Sequence, residues 1–170
     1  MTALGINKTQ GEEAVLKALH SVKDPEIPSI SIVELGMLEE VVVSGSMAKV
    51  ELIPTFLGCP ALDIIKGNVK TAIEALGLFE EITVLFNYSV PWTTDRISME
   101  GRTKLKEFGI APPPRQLPDG LGWEADCPFC GSTYTTVDNI FGPTACRSIL
   151  YCRACKNPFE AMKPVSMDMS

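Results

Sequence analysis

The chain has 170 residues, 45% of them hydrophobic and 21% charged, with a net charge of −6. That length accommodates one compact domain of about 100 residues plus a smaller one, and no apolar run approaches the roughly 20 residues that cross a bilayer. The acidic balance disfavours a reader of nucleic acid, since phosphate binding draws on clustered Lys and Arg; it leaves a protein or small-molecule partner, or solubility alone, as its meaning.

The opening stretch, MTALGINKTQGEEAV, lacks a basic region followed by an apolar core and a small-residue cleavage site, so a cytoplasmic location is expected. In that reducing compartment, paired cysteines are metal ligands or redox groups rather than a disulfide framework. From Gln10 to Val22, Val15, Leu16, Leu19 and Val22 recur at helical spacing, with Glu12 and Glu13 expected in the first turn. His20, the only histidine, has no ligand-type partner at helical spacing and reads as a surface or boundary residue. Pro25 and Pro28 then end the helix and impose an irregular loop.

Val41 to Val43 and Val50 to Ile53 flank SGSM and predict a hairpin, with Gly45 taking the unusual backbone angle. Leu62, Ile65, Val69, Ile73 and Leu76 predict a second amphipathic helix that stops at Gly77. Ile82, Val84 and Phe86 alternate as a third strand. TTDRISMEGRTKLKEFGI predicts one further helix, capped by Thr93 or Thr94 and stopped by Gly109. The fold class is therefore α+β. An α-β-β-α-β-α domain with a three-stranded sheet spans 1–110, a Pro-rich spacer spans 111–122, and a Cys-rich, zinc-ribbon-like β domain spans 123–170.

Cys127 and Cys130 form one C-x-x-C pair and Cys152 and Cys155 a second, with 21 residues between the pairs. Each pair forms a tight turn, helped in the first by Pro128 and Gly131, and two such turns complete a tetrahedral thiolate site. Structural zinc is the expected occupant, because four closed thiolates leave no open position for chemistry; a redox or cluster role is the alternative. So short a segment depends on the ion to fold, and removal of any one of the four ligands is expected to unfold it. STYTTVDNI and ACRSILYC between the pairs are strand-like. Cys146 follows FGPTA, a turn before what reads as the last strand, and three readings stand open: a small buried hydrophobe, an alternative ligand, or a ligand to an iron-sulfur cluster.

Cys59 in LGCPAL follows a turn at Gly58 and reads as the N-cap of the second helix, with Pro60 at its first position. A thiol there faces the positive end of the helix, which lowers its pKa and favours the reactive thiolate; a cysteine merely tolerated at a cap is the alternative. Asp24 and Glu26, on the proline-stiffened loop, are either solvated or positioned to act beside Cys59 as acid, base or oxygen ligand.

DPEIPSISIVELGM, VELIPTFLGCPA and the following helix resemble the iron-sulfur assembly domain family that includes the bacterial SufT proteins. Its marks here are Asp24, Pro25, Glu26, Thr55, Cys59 and Pro60. VPWTTDRISMEGRTKLKEFGIAPP and the cysteine-rich region resemble the PaaD branch alone, whose motif includes Cys146. The resemblance covers nearly the whole chain. It implies an accessory or maturation role in phenylacetate ring oxygenation, with subunits of the phenylacetyl-CoA oxygenase and reductase complex as partners. It also implies a transient iron or iron-sulfur cargo handled by Cys59, with Asp24, Glu26 and Thr55. A non-catalytic subunit that stabilises the oxygenase is the competing expectation. Whether Cys59 acts within a homodimer stays open. The chain is not read as the oxygenase, since a di-iron bundle needs two histidines; nor does any Gly-rich phosphate loop mark a reductase.

Overall fold

A computed structural model describes residues 8–115 and 123–165. The chain divides into two compact units, one formed by Met1–Pro54 with Gly58–Val90, the other by Thr55–Leu57 with Pro91–Ser170. No helix among the described residues is long and apolar enough to cross a membrane.

In the first unit, helix α1 spans Lys8–Leu19. Strands β1 (Leu38–Ser44) and β2 (Met47–Leu52) pair antiparallel with Val41 opposite Val50 and Ser44 opposite Met47. Gly45, at φ 58°, makes the two-residue turn possible. Helix α2 (Leu62–Glu74) then crosses to strand β3 (Glu81–Phe86), which runs parallel to β2 and completes a sheet of order β1-β2-β3. Helix α1 packs on β1 and α2 packs on β3, so the apolar stripes of both meet the sheet. Val15, Leu19, Val50, Ile65, Val69 and Ile73 are each at most 1% exposed, and burial of such a side chain stabilises by about 1.5–3 kcal/mol.

Three local expectations need correction here. Helix α1 begins at Lys8, so Glu12 and Glu13 lie beyond its first turn. Leu16, expected in the apolar stripe, is 38% exposed. The loop after α1 is irregular yet buried: Ile27, Ile30, Ile32, Leu35 and Met37 all enter the core. Its backbone is satisfied locally, as buried backbone must be. Asp24 N–H donates to the Ile30 carbonyl (3.0 Å) and Ile32 N–H to that of Val22 (3.0 Å). Ser31 and Glu34 cap each other reciprocally, with Ser31 N–H donating to Glu34 Oε2 (2.7 Å) and Glu34 N–H to Ser31 Oγ (3.1 Å).

In the second unit, the single helix expected from Thr93 is broken. A 3-10 turn at Thr94–Arg96 precedes helix α3 (Met99–Glu107), whose N-cap is Ser98, accepting from Gly101 N–H at 3.0 Å. This segment groups with the C-terminal residues rather than closing the first domain at 110. Thr94 N–H donates to the Val165 carbonyl (3.0 Å), and Arg102 donates to the carbonyls of Pro113 and Thr94 (2.6 Å each). Ala111, expected to open the spacer, instead ends a short strand β4 (Ile110–Ala111), and 116–122 of that spacer lie outside the described residues.

Strands β5 (Thr135–Asn139), β6 (Arg147–Cys152) and β7 (Pro158–Met162) complete a sheet of order β4-β7-β6-β5. The strand at Arg147 is therefore not the last: β7 follows it, parallel to β4 and antiparallel to β6. Arg147, almost wholly buried, pairs with Glu160 at 2.7 Å across β6 and β7. Between β5 and β6 the chain turns at Gly142, where an added Cβ would lie 2.6 Å from the Arg147 carbonyl oxygen and 3.0 Å from Ser148 N. Backbone cannot give way as a flexible side chain can. Gly142→Ala is expected to cost about 1–3 kcal/mol of stability in the second unit, read as a shifted denaturant midpoint at unchanged slope.

Candidate metal centre and cysteine turn

The strand pair β5–β6 carries the two C-x-x-C turns at one end. Cys127 ends the segment leading from Ala125, and Cys152 ends β6, opposite Thr135 of β5. Each turn is closed by its own backbone. Gly131 N–H donates to the Cys127 carbonyl (2.8 Å) and Lys156 N–H to that of Cys152 (2.9 Å). Cys127 N–H in turn donates to Ser132 O and Cys152 N–H to Asn157 O, both at 3.0 Å. The residue after each second cysteine is left-handed: Gly131 at φ 73° and Lys156 at φ 63°. For lysine this conformation costs roughly 1–2 kcal/mol, so the turn at Cys155 is held against local preference. Pro128 and Gly131 are visible as turn residues in the sequence; Lys156 carries no such signal.

The four sulfur atoms of Cys127, Cys130, Cys152 and Cys155 lie within 4.8 Å of one another. Cys127 and Cys155 stand 3.7 Å apart and Cys130 and Cys152 3.6 Å. A tetrahedron with about 2.3 Å zinc–sulfur bonds has edges of about 3.8 Å, so the set fits one thiolate-bound ion. Backbone N–H groups of Cys155 and Ala154 hold the Cys152 thiol down to about 6 against the opposing effect of burial. At Cys130 the Ser132 N–H also lowers the pKa, but desolvation and the thiols of Cys152, Cys155 and Cys127 outweigh it and push the group up to about 11. The negative charge thus settles at Cys152 before Cys130, and a bound cation favours the thiolate at both.

Cys146 stands apart from this group. It precedes β6 while Cys152 ends it, and six residues of strand place them about 20 Å apart. The half-buried Cys146 thiol lies 3.3 Å from Thr144 Oγ1, and its carbonyl accepts from Lys163 N–H at 2.8 Å. That geometry does not bring it to the four-thiolate site.

Cys59 lies in the first unit, in the connection between β2 and α2, after Gly58 at φ 79°. It is not the N-cap. Helix α2 is capped by Ala61, and Cys59 sits just before it, its carbonyl accepting from Leu62 N–H at 3.4 Å. The thiol is half-buried. Asp24 is used locally: its Oδ1 accepts from the N–H groups of Glu26 (2.8 Å) and Ile27 (2.9 Å), fixing the DPE loop. It also borders an open depression of ≈ 480 Å³ with Lys23, Pro25, Asn68 and Thr71; neither Cys59 nor Glu26 lines it. Asn68 and Thr71 give no sequence signal, because on an exposed helix face they look like ordinary surface residues. Thr55 groups with the second unit and Cys59 with the first.

Two family models match the chain in turn: an iron-sulfur cluster assembly protein over 12–86 and the PaaD zinc beta ribbon domain over 111–163. The chain is 36% identical over 85% of its length, and 88% of the relative's, to a subunit of the "Putative 1,2-phenylacetyl-CoA epoxidase" of Escherichia coli. It is 30% identical to the Fe-S protein maturation auxiliary factor YitW of Bacillus subtilis over 55% of this chain and 92% of that one. A crystal structure of a domain of unknown function, DUF59, from Bacillus anthracis superposes with a TM-score of 0.55 at 27% identity, covering 58% of this chain and 93% of the other.

Metal uptake by the four thiols competes with protons. Because the Cys152 pKa lies below that of an ordinary thiol, its thiolate is present at neutral pH and is lost as the pH falls through about 6. The loaded chain is expected to release its ion as the pH is lowered, because protons compete with it for the thiolates, with concurrent loss of β signal from the second unit, measured by metal release and far-UV circular dichroism. The two matched halves, in this order and with the four-cysteine centre assembled between β5, β6 and β7, place the chain in the PaaD family, to which it belongs.

Proposed function

We propose that this chain is a cytoplasmic accessory protein of a phenylacetyl-CoA ring-epoxidising, di-iron oxygenase system. It helps iron or an iron-sulfur cluster reach that system and does not itself catalyse the oxygenation. The observation that carries this reading is the position of Cys59. It lies in the β2–α2 connection, at the carboxyl end of the parallel pair β2 and β3, which is where open α/β sheets bind their ligands. The likeness to a Fe-S maturation factor over this same half supports an iron-sulfur cargo. The relative named as an epoxidase subunit supports a ring-epoxidising system as the one served.

In this reading the two cysteine sites divide the work. Cys127, Cys130, Cys152 and Cys155 hold one zinc that keeps the second unit folded. Cys59, with Asp24 and Glu26 from the same family motif, takes the cargo transiently, and the client is an oxygenase or reductase subunit. A second reading, a non-catalytic subunit that stabilises the oxygenase by stable contact, is favoured by the relative's own name.

Co-expression with the oxygenase and reductase subunits separates the two. Cys59→Ala is expected to yield a folded chain with its ribbon metal intact and a reductase lacking most of its 2Fe–2S cluster, read from visible absorbance per polypeptide. A reductase with full cluster content, together with co-purification of the variant in fixed ratio, would establish the stable-subunit reading instead. Asp24→Asn preserves the acceptor that fixes the DPE loop, so lower cluster content in that variant reports the carboxylate charge. Unchanged content removes Asp24 from the cargo-handling set.

A further inference from the structure

The four ligands of the metal centre are chemically identical but not equally placed. Cys127 and Cys152 are wholly buried and belong to the core of the second unit, packed with Ala111, Leu150, Phe159 and Ala161. Cys155 is half-buried and packs against that core. Cys130 is exposed and makes no part of it. The backbone repeats the division. Cys127 and Cys152 each donate and accept a main-chain hydrogen bond that closes a turn, through Ser132 and Gly131 in one case and Asn157 and Lys156 in the other. Cys130 sits at the solvent side of its turn, beside Phe129, which is 61% exposed.

We propose that Cys130 is the dispensable and modifiable ligand of this centre: the thiol that soft electrophiles reach first and whose loss the fold survives, while Cys127 and Cys152 are structural anchors. The inference rests on the four-thiolate reading of the site and departs from the expectation that all four cysteines are equivalent. The physical reason is burial. Removing Cys127 or Cys152 deletes a ligand and a core side chain together, and leaves a polar hydroxyl inside if serine replaces it. Removing Cys130 deletes a ligand alone, and a hydroxyl there meets water. Reaction with an alkylating agent such as iodoacetamide forms a bond between Cys130 Sγ and carbon and breaks the carbon–iodine bond. Iodide departs with the electron pair; in the zinc-loaded chain the attacking group is the bound thiolate, so no proton is released, and the thioether formed is a weaker ligand for the ion.

The test starts from the zinc-loaded full chain. Limited iodoacetamide followed by peptide mass spectrometry is expected to find Cys130 modified roughly tenfold faster than Cys127 or Cys152, with Cys155 between them. Cys130→Ser is expected to keep the far-UV spectrum and one zinc per chain, released to a chromophoric chelator roughly tenfold faster than from the parent. Cys127→Ser and Cys152→Ser are expected to lose both zinc and the β signal. Equal modification of all four thiols, or a Cys130→Ser chain as unfolded as Cys127→Ser, would overturn the proposal while leaving the metal site in place. A parent chain that holds no metal would overturn the proposal and the four-thiolate reading together.

Discussion

Four sulfur atoms held within 4.8 Å of one another are the constraint on which the second unit depends. Thiolates that close repel, and thiols that close gain little, so the arrangement is favourable only around a cation. The geometry of the rest follows. β5 and β6 hold the two turns side by side, β7 returns from the second turn to pair with β6, and Lys156 accepts an unfavourable backbone angle to close it. Because Cys127 and Cys152 are also core side chains, the ion and the apolar core are parts of one object. A core of this size buries little area, which is why small domains so often need a metal.

The first unit has no such requirement. Two helices and a buried, self-capped loop pack with a three-stranded sheet, and the apolar residues of α1, α2 and β2 supply its stability. Its cysteine therefore has a different status. Cys59 is in no cluster of ligands among the described residues, and the fold does not need its thiol for packing in the way it needs Cys127. A thiol that the core does not require, in the connection that follows a parallel strand, suits reversible contact with a cargo. A closed tetrathiolate suits permanence.

Much of this is legible in the sequence, for identifiable reasons. The hairpin at Gly45 and helix α2 have strong local signals, and the C-x-x-C spacing dictates the metal centre almost unaided. What escapes depends on tertiary context. Ser98 displaces Thr93 as a helix cap because Ile97 leaves the 3-10 turn in an extended conformation, so the helix has to restart. Cys59 falls short of the cap position because the turn from Cys59 to Leu62 precedes α2, and a proline after a cysteine does not fix which residue begins the helix. β7 is hidden because Pro158 and Glu160 obscure an alternation that only its pairing with β6 makes meaningful. The buried loop from Lys23 to Met37 reads as a surface connection until its isoleucines are seen to complete the core.

The division of labour between the two cysteine sites is the central claim, and metal and acid-labile sulfide analysis of protein purified without oxygen tests it most directly, on the parent and the Cys59→Ala chain side by side. One zinc per chain is expected in both, with any iron and sulfide that the parent carries lost from the variant. Iron and sulfide retained in the Cys59→Ala chain, or a zinc content that falls with that substitution, would contradict it.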